Sequence, residues 1–335
     1  MVLAPPTSEA ATDAIRALRD DGTLESALAE PPPAELAVAL FELGRQATAL
    51  RERLGALRGE DHVTSAAPVI PAASEAAALG ATAAMEEEDW IFPGAHELSV
   101  ALWRRVPLPV CAAWALRGER RADAHSWKGT AIVPGSALSG RHVPHAAGLA
   151  WAARLRRQRS VALALLDLAD TSSGDFHTGL NFAGVARAPL IAVCVVAAGA
   201  TPSARHTASA GVAVKALAYG LRGIRVDGTD AVAVLGVVRE ARAFAAAGNG
   251  GTLVEAVVPA RPEDPPFAPL RRHLESRGLW DPEREHSFSA ELSAAIDRAT
   301  DETDASSVEG GAFFDHVFAQ PPWHLQEQRA RSGSR

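Results

Sequence analysis

Two carboxylates, Asp167 and Asp170, stand three positions apart directly after the apolar run Val161–Leu166. Carboxylate oxygens so placed can take a hard divalent cation, which prefers oxygen ligands. A polar turn closing a buried strand uses the same two residue types, so both readings stand. His142 and His145 are also three positions apart, a separation that suits a metal pair. No third ligand accompanies them, and a loop explains them as well. Ser172 and Ser173 precede the helical stretch that begins near Gly174 and suit its N-cap. The basic run from Arg154 to Arg159 suits the last turn of a helix, where cations meet the negative end of the dipole. Cys111 and Cys194, the two cysteines, lie in apolar surroundings far from any metal-type spacing and read as buried core thiols.

The elements that must position these residues follow from periodicity. Val161–Leu166, Leu190–Val196 and Thr252–Val258 are short, continuous apolar runs bounded by turn residues, with Ile224–Val226 a shorter fourth. Helical stretches lie between them at about 174–186 and 230–247. Strand, helix, strand at this spacing describes parallel strands with crossover helices. The expected fold is therefore α/β, a doubly wound and mostly parallel sheet. Upstream, Pro31-Pro32-Pro33 leads into Leu36, Leu40, Leu43, Leu50, Leu54 and Leu57 at helical spacing. A second helix runs from Ser74 to Met85, and the acidic Glu86–Asp89 reads as a solvated turn. Trp90 and Trp323 read as core or interface aromatics.

Residues 1–33 form an N-terminal extension, 34–328 the domain, and 329–335 a disordered tail. A net charge of -7 without a basic stripe argues against nucleic acid as the main partner. No apolar stretch reaches the roughly 20 residues that span a bilayer, and the start has no signal-peptide pattern. The expectation is a soluble, cytoplasmic protein that takes no membrane or nucleic-acid partner.

A collinear series of motifs between about residues 15 and 328 carries a family resemblance. It includes Asp20–Leu24, Ser74–Ala77, Asp89-Trp90-Ile91-Phe92-Pro93, Pro144–Gly148 and Thr171-Ser172 with Gly174–His177 and Leu180–Ala183. Lys215–Gly220, Gly223–Gly228, and Phe314–Ala319 with Pro322–Leu325 follow in order, the last pair at the position of a C-terminal strand. In these stretches the chain resembles the α subunits of thiamine-diphosphate-dependent 2-oxoacid dehydrogenases (E1), of the pyruvate, branched-chain and acetoin types. The resemblance implies a thiamine-diphosphate-binding fold. It also implies thiamine diphosphate with Mg²⁺ as cofactor, an E1 β-type partner in an αβ or α2β2 assembly, and a possible E2 acyltransferase core.

The same alignment of motifs places substitutions around that cofactor. Where the family has the metal-binding G-D-G, this chain has Asp167-Leu168-Ala169, and where it has N-N, Val196-Ala197. The family's Y-R pair, which contacts the phosphate end, falls on Ala95-His96; His96, beside Glu97, has the type to touch phosphate or to sit exposed at a helix start. The P-L pair under the thiamine falls on Leu138-Ser139, and a one-residue shift would restore Leu138. The loop with the family's catalytic histidine is replaced by Pro259–Pro269, without a histidine, before a helix near Leu270. That change also removes the family's phosphorylation region. A diphosphate beside Leu and Val without its cation faces a penalty of several kcal/mol per charge. Leu138, Asp167, Asp170 and His96 remain as vestigial cofactor-contact positions, with no catalytic residue and no metal ligand assigned. The leading expectation is a catalytically degenerate E1 α-like subunit, a structural or regulatory partner of an E1 β-type chain. Its alternative is an active E1 α subunit that decarboxylates pyruvate or a branched-chain 2-oxoacid through shifted ligands. A third reading is an apolar pocket for a neutral small molecule.

Overall fold

The computed structural model describes residues 14–25, 31–59, 74–94, 97–117, 129–133, 139–198, 206–209, 211–259, 265–304 and 318–332. Its centre is a five-stranded, wholly parallel sheet in the order β1-β2-β3-β5-β4. The strands are β1 Trp90–Phe92, β2 Ala162–Asp167, β3 Leu190–Ala198, β4 Arg222–Asp227 and β5 Thr252–Pro259. The apolar runs become strands because both of their faces are covered. In β2, Leu163 and Leu165 enter one core cluster, while Ala162, Ala164 and Leu166 enter the other. In β3, Ile191, Val193 and Val195 face the first cluster, and Ala192, Cys194 and Val196 the second. A pleated strand turns alternate side chains to opposite faces, so a strand covered on both sides reads as continuous apolar sequence.

Helices cover the two faces. On the first lie α1 Ala34–Gly59, α2 Ser74–Ala83, α3 Glu97–Trp103, α4 Leu108–Arg117, α7 Ala231–Ala246, α8 Ala268–Ser276 and α9 Pro282–Asp304. On the second lie α5 His142–Leu155, α6 Gly174–Val185 and a 3-10 helix, Ala213–Tyr219. A last helix is α10 Trp323–Ser332, in which no residue from Trp323 to Arg331 is buried. The α1 stripe predicted from leucine spacing buries Leu40, Leu50 and Leu54, and Ala37, Phe41 and Ala47 complete it. Ser173 caps α6, its hydroxyl accepting from Phe176 N at 3.1 Å. Asp230 caps α7, one oxygen accepting from Val232 N and Ala233 N. The other oxygen accepts from Ala17 N and Leu18 N, at 2.7 and 2.6 Å. Residues 14–25 are thereby fixed to the body, and Ile15 adds a parallel bridge to Val226 at the open edge of β4.

Five sequence expectations change. Asp20–Leu24, where the resemblance implies a lead-in strand, is a turn: Gly22 has φ +84° and Thr23 bonds back to Asp21 through both its N and its Oγ1. Glu86–Asp89, read as a solvated turn, ends in a fully buried Asp89 that Arg242 holds from α7. The C-terminal strand is not found in its second half, because α10 begins directly after Pro321-Pro322; residues 305–317 lie outside the described residues. Proline suits a helix entry and cannot donate to a sheet. Helix α10 also takes in residues 329–332 of the expected tail. Trp90 and Trp323 are exposed within the chain, so neither is a core aromatic. The cysteines behave as expected: both are buried, and burial pushes the Cys111 thiol up to about 12 and Cys194 well above the ordinary thiol value. Among the described residues no helix is long and apolar enough to cross a membrane.

His273 gives the fold a pH dependence. It is buried in α8, with Nδ1 donating to Gly22 O at 3.1 Å and Nε2 without a partner among the described residues. Burial holds its pKa below the ordinary imidazole value; the bond to Gly22 works the other way, and the Arg277 charge adds to the depression. Below an unfolded pKa of about 6.5, the unfolded chain binds a proton that the folded one refuses, so stability falls as pH falls. Urea unfolding from about pH 7.5 to 5.5 should show this loss, and His273→Gln should flatten it; parallel curves for the two proteins would refute the assignment.

Candidate functional site

Ligands of open parallel sheets bind in the crevice beyond the carboxyl ends of the strands. Here that end is formed by Asp167, which closes β2 in register with Val195 of β3. The chain then turns through a 3-10 helix, Leu168–Ser172, into α6. Leu168, at the first position where the resemblance asks for a metal ligand, packs against the apolar cluster of Leu166, Cys194 and Val196. Val196, at the second, is buried in the same cluster, and Ala197 packs partly buried on the opposite one. Neither position offers a side-chain oxygen.

The two acidic neighbours take different places. Asp170 is buried, and both of its oxygens are engaged. Oδ2 accepts from Asp167 N at 2.9 Å, and Oδ1 from Ser139 Oγ at 2.6 Å and Gly140 N at 2.8 Å. Its carboxylate thus ties the segment before α5 to the turn after β2. Asp167 stands half-buried at the strand end. Ser139, the second residue of the expected P-L pair, faces Asp170; Leu138 and His96 lie outside the described residues. Among the described residues no group of three or more His, Cys, Asp or Glu is placed to hold a metal ion.

Gly140 shows how tightly this junction is built. Its φ is +73°, and a Cβ there would collide with Ser173 Oγ. Gly140→Ala is expected to cost about 2 kcal/mol or more, since both backbone strain and the collision act against it. Chemical denaturation reads this directly; an unchanged midpoint would mean that the junction relaxes freely.

The histidines expected as a possible metal pair are separated. His142 is buried, its Nε2 donating to Leu165 O at 2.8 Å, while His145 is exposed on the outer side of α5. Arg154 stands in the last turn of α5, as expected, and also donates to Arg187 O and Gly248 O.

The structure brings together residues that sequence reasoning treated as scaffold. His177 of α6 and Tyr219 of the second 3-10 helix are hydrogen-bonded through Nδ1 and OH. Lys215 donates to Thr171 O at 3.2 Å and lies 5.5 Å from the Phe176 ring. Glu255 is buried in β5 and accepts from Val212 N and Ala213 N, which fixes the start of that 3-10 helix. The signal was present in Gly174–His177 and Lys215–Gly220, but nothing local says that the two segments meet.

Residues 67–259, more than half of the chain, match the family described as Dehydrogenase E1 component. The chain is 32% identical over 285 residues to the pyruvate dehydrogenase E1 component subunit alpha of Staphylococcus aureus, with 77% of this chain and 76% of that protein covered. It is 34% identical over 289 residues to the 3-methyl-2-oxobutanoate dehydrogenase subunit alpha of Mycobacterium tuberculosis, with 76% of each covered. The parallel sheet flanked by helices, the ordered motifs and these similarities agree: the chain belongs to the dehydrogenase E1 component family and is α-subunit-like.

Proposed function

We propose that this chain is an E1 α-type subunit of a 2-oxoacid dehydrogenase system that does not hold Mg²⁺-thiamine diphosphate in the family's manner. It serves instead as a structural or regulatory partner of an E1 β-type chain. The observation that carries the reading is Leu168 together with Val196 and Ala197, apolar at both positions where oxygen ligands are needed. A divalent ion takes its ligands from oxygen, and a diphosphate desolvated without that ion is strongly disfavoured. Asp170 is a poor substitute, because both of its oxygens already accept hydrogen bonds from the surrounding backbone and Ser139. The residues present therefore do not fit the cofactor, and no catalytic step is derived through it.

A partner is supported by the surface. Trp151 and Leu155 of α5, Phe182 and Val185 of α6, and Leu217 of the adjoining 3-10 helix are all exposed, on elements that share one face of the sheet. Large apolar side chains gathered on one side of a molecule mark an interaction face. A β-type subunit is the occupant that the family membership suggests, and an E2 acyltransferase core stands beyond it.

Thiamine diphosphate with Mg²⁺, titrated calorimetrically into the protein alone and into its co-expressed complex with a β-type chain, tests the proposal. The expected result is no saturable micromolar binding and no release of CO2 from pyruvate or 3-methyl-2-oxobutanoate. Saturable binding with turnover would establish instead the active α subunit with shifted ligands.

A further inference from the structure

A group of cationic and hydroxylic side chains beyond the end of β2 has no part in the proposed scaffold role. Lys215 has one hydrogen-bond partner, Thr171 O, and no carboxylate within 4 Å among the described residues. An ammonium carries three donors, so two remain. Several other half-buried cations of this chain are matched by acids, Arg51 by Glu75, Arg222 by Glu240 and Arg242 by Asp89. Lys215 is held in place from below by the fully buried Phe176 ring. A cation fixed over an aromatic face is partly desolvated and lacks the freedom to swing into bulk water.

Two imidazoles join it. His177 lies 5.5 Å from the same Phe176 ring, and its Nδ1 is engaged by Tyr219 OH. Burial, and behind it the Lys215 charge, lowers its pKa, which places the two bases within electrostatic reach of each other. His206 bonds through Nδ1 to Ser172 Oγ at 3.4 Å. Ser172 donates its own hydrogen to Ala169 O, so it accepts from His206, and Ser172 directly follows the residue whose carbonyl holds Lys215. The first turn of α6 adds the positive end of a helix dipole. The acids nearby do not neutralise the group. Asp170 is engaged elsewhere, and among the described residues neither Asp167 nor Asp175 forms an ion pair with Lys215 or His177.

We propose that Lys215, His177 and His206, with Ser172 and Tyr219, form a phosphoryl-binding site that takes a small phosphate ester or a free diphosphate end without a metal ion. The two remaining donors of the Lys215 ammonium and the one N–H or O–H hydrogen left over by the His177–Tyr219 pair match the acceptor oxygens and the charge of a phosphoryl group, while Ser172, its own hydrogen given to Ala169 O, holds His206 beside them. The site needs no Mg²⁺, so it does not depend on the fate of the family's metal ligands.

The test titrates inorganic phosphate into the full chain in chloride buffer at fixed ionic strength and follows the imidazole resonances by NMR. Saturable shifts of the His177 and His206 signals are expected. Lys215→Met, which keeps the packed stem, should weaken phosphate binding by about tenfold or more, and Lys215→Arg should keep it within about threefold. Linear, chloride-like shifts in the wild-type chain would overturn the site, as would equal affinity in Lys215→Met or equal affinity for acetate. Should Lys215→Met fail to fold, the wild-type titration and Lys215→Arg decide alone. Thiamine diphosphate and a simple alkyl phosphate, each without Mg²⁺, distinguish the two sources: tighter binding by the former at these same histidines assigns the site to a diphosphate end, and equal binding assigns it to a phosphate ester.

Discussion

Asp89→Ala is expected to destabilise the fold by about 3–5 kcal/mol, because it removes one partner of a buried ion pair and leaves the other uncompensated. Asp89 has no exposed surface. Its Oδ2 accepts from Arg242 Nε at 2.6 Å and Glu86 N at 2.8 Å, and its Oδ1 from Arg242 Nη2 at 3.3 Å and Val161 N at 2.8 Å. One carboxylate therefore joins α7, the turn before β1 and the entry to β2. Glu86 also pairs with Arg242, at 2.6 Å, but its side chain is 57% exposed, so solvent screening keeps it from replacing the lost acid. The double variant Asp89→Ala with Arg242→Met should recover part of the loss, since no charge is then left buried. Urea midpoints at unchanged m measure both. A loss below about 1 kcal/mol for Asp89→Ala would mean that the pair is held by its surroundings rather than holding them.

Asp89 also marks where the sequence stops being legible. It ends an acidic run, and acidic runs are ordinarily solvated; the arginine that buries it lies 153 positions away. The strands could be read because their cause is local: a segment covered on both faces has to be apolar at every position, as Leu163 to Leu166 and Ile191 to Val196 are. The helix starts were readable for the same reason, since Ser173 and one oxygen of Asp230 cap within the first turn; the bonds of the other Asp230 oxygen to Ala17 and Leu18 were not. The His177–Tyr219 bond spans 42 positions and the Ser139–Asp170 bond 31, so no local pattern announces either. The candidate site is accordingly half legible. The loss of oxygen at Leu168, Val196 and Ala197 can be read from residue types alone, while what Asp170 and Lys215 do instead depends on contacts that only the folded chain makes. Leu138 and His96 lie outside the described residues, and their place in the site stays an expectation.

Asp170→Ala is expected to cost about 3 kcal/mol, as buried donors lose a charged acceptor. Three donors converge on this carboxylate: Asp167 N, Ser139 Oγ and Gly140 N. Ser139 can turn its hydroxyl elsewhere, but the two backbone groups are fixed by the turn after β2 and by the positive φ of Gly140. Asp170→Asn should cost less, about 1–2 kcal/mol, because the amide keeps one acceptor oxygen and faces one donor with its own N–H. This ordering separates a structural clasp from a metal ligand. A ligand would leave the apoprotein little changed on substitution, and its effect would surface only as a lost stabilisation by Mg²⁺ and thiamine diphosphate, since a bound ligand raises stability by mass action. A clasp loses stability with or without them. Denaturation of the wild type, Asp170→Asn and Asp170→Ala, each with and without Mg²⁺-thiamine diphosphate, therefore reads both properties in one experiment. Three separated midpoints that the cofactor does not move are expected. A cofactor-dependent rise in the wild type that disappears in Asp170→Asn would instead make Asp170 a shifted ligand, and with it the chain an active α subunit.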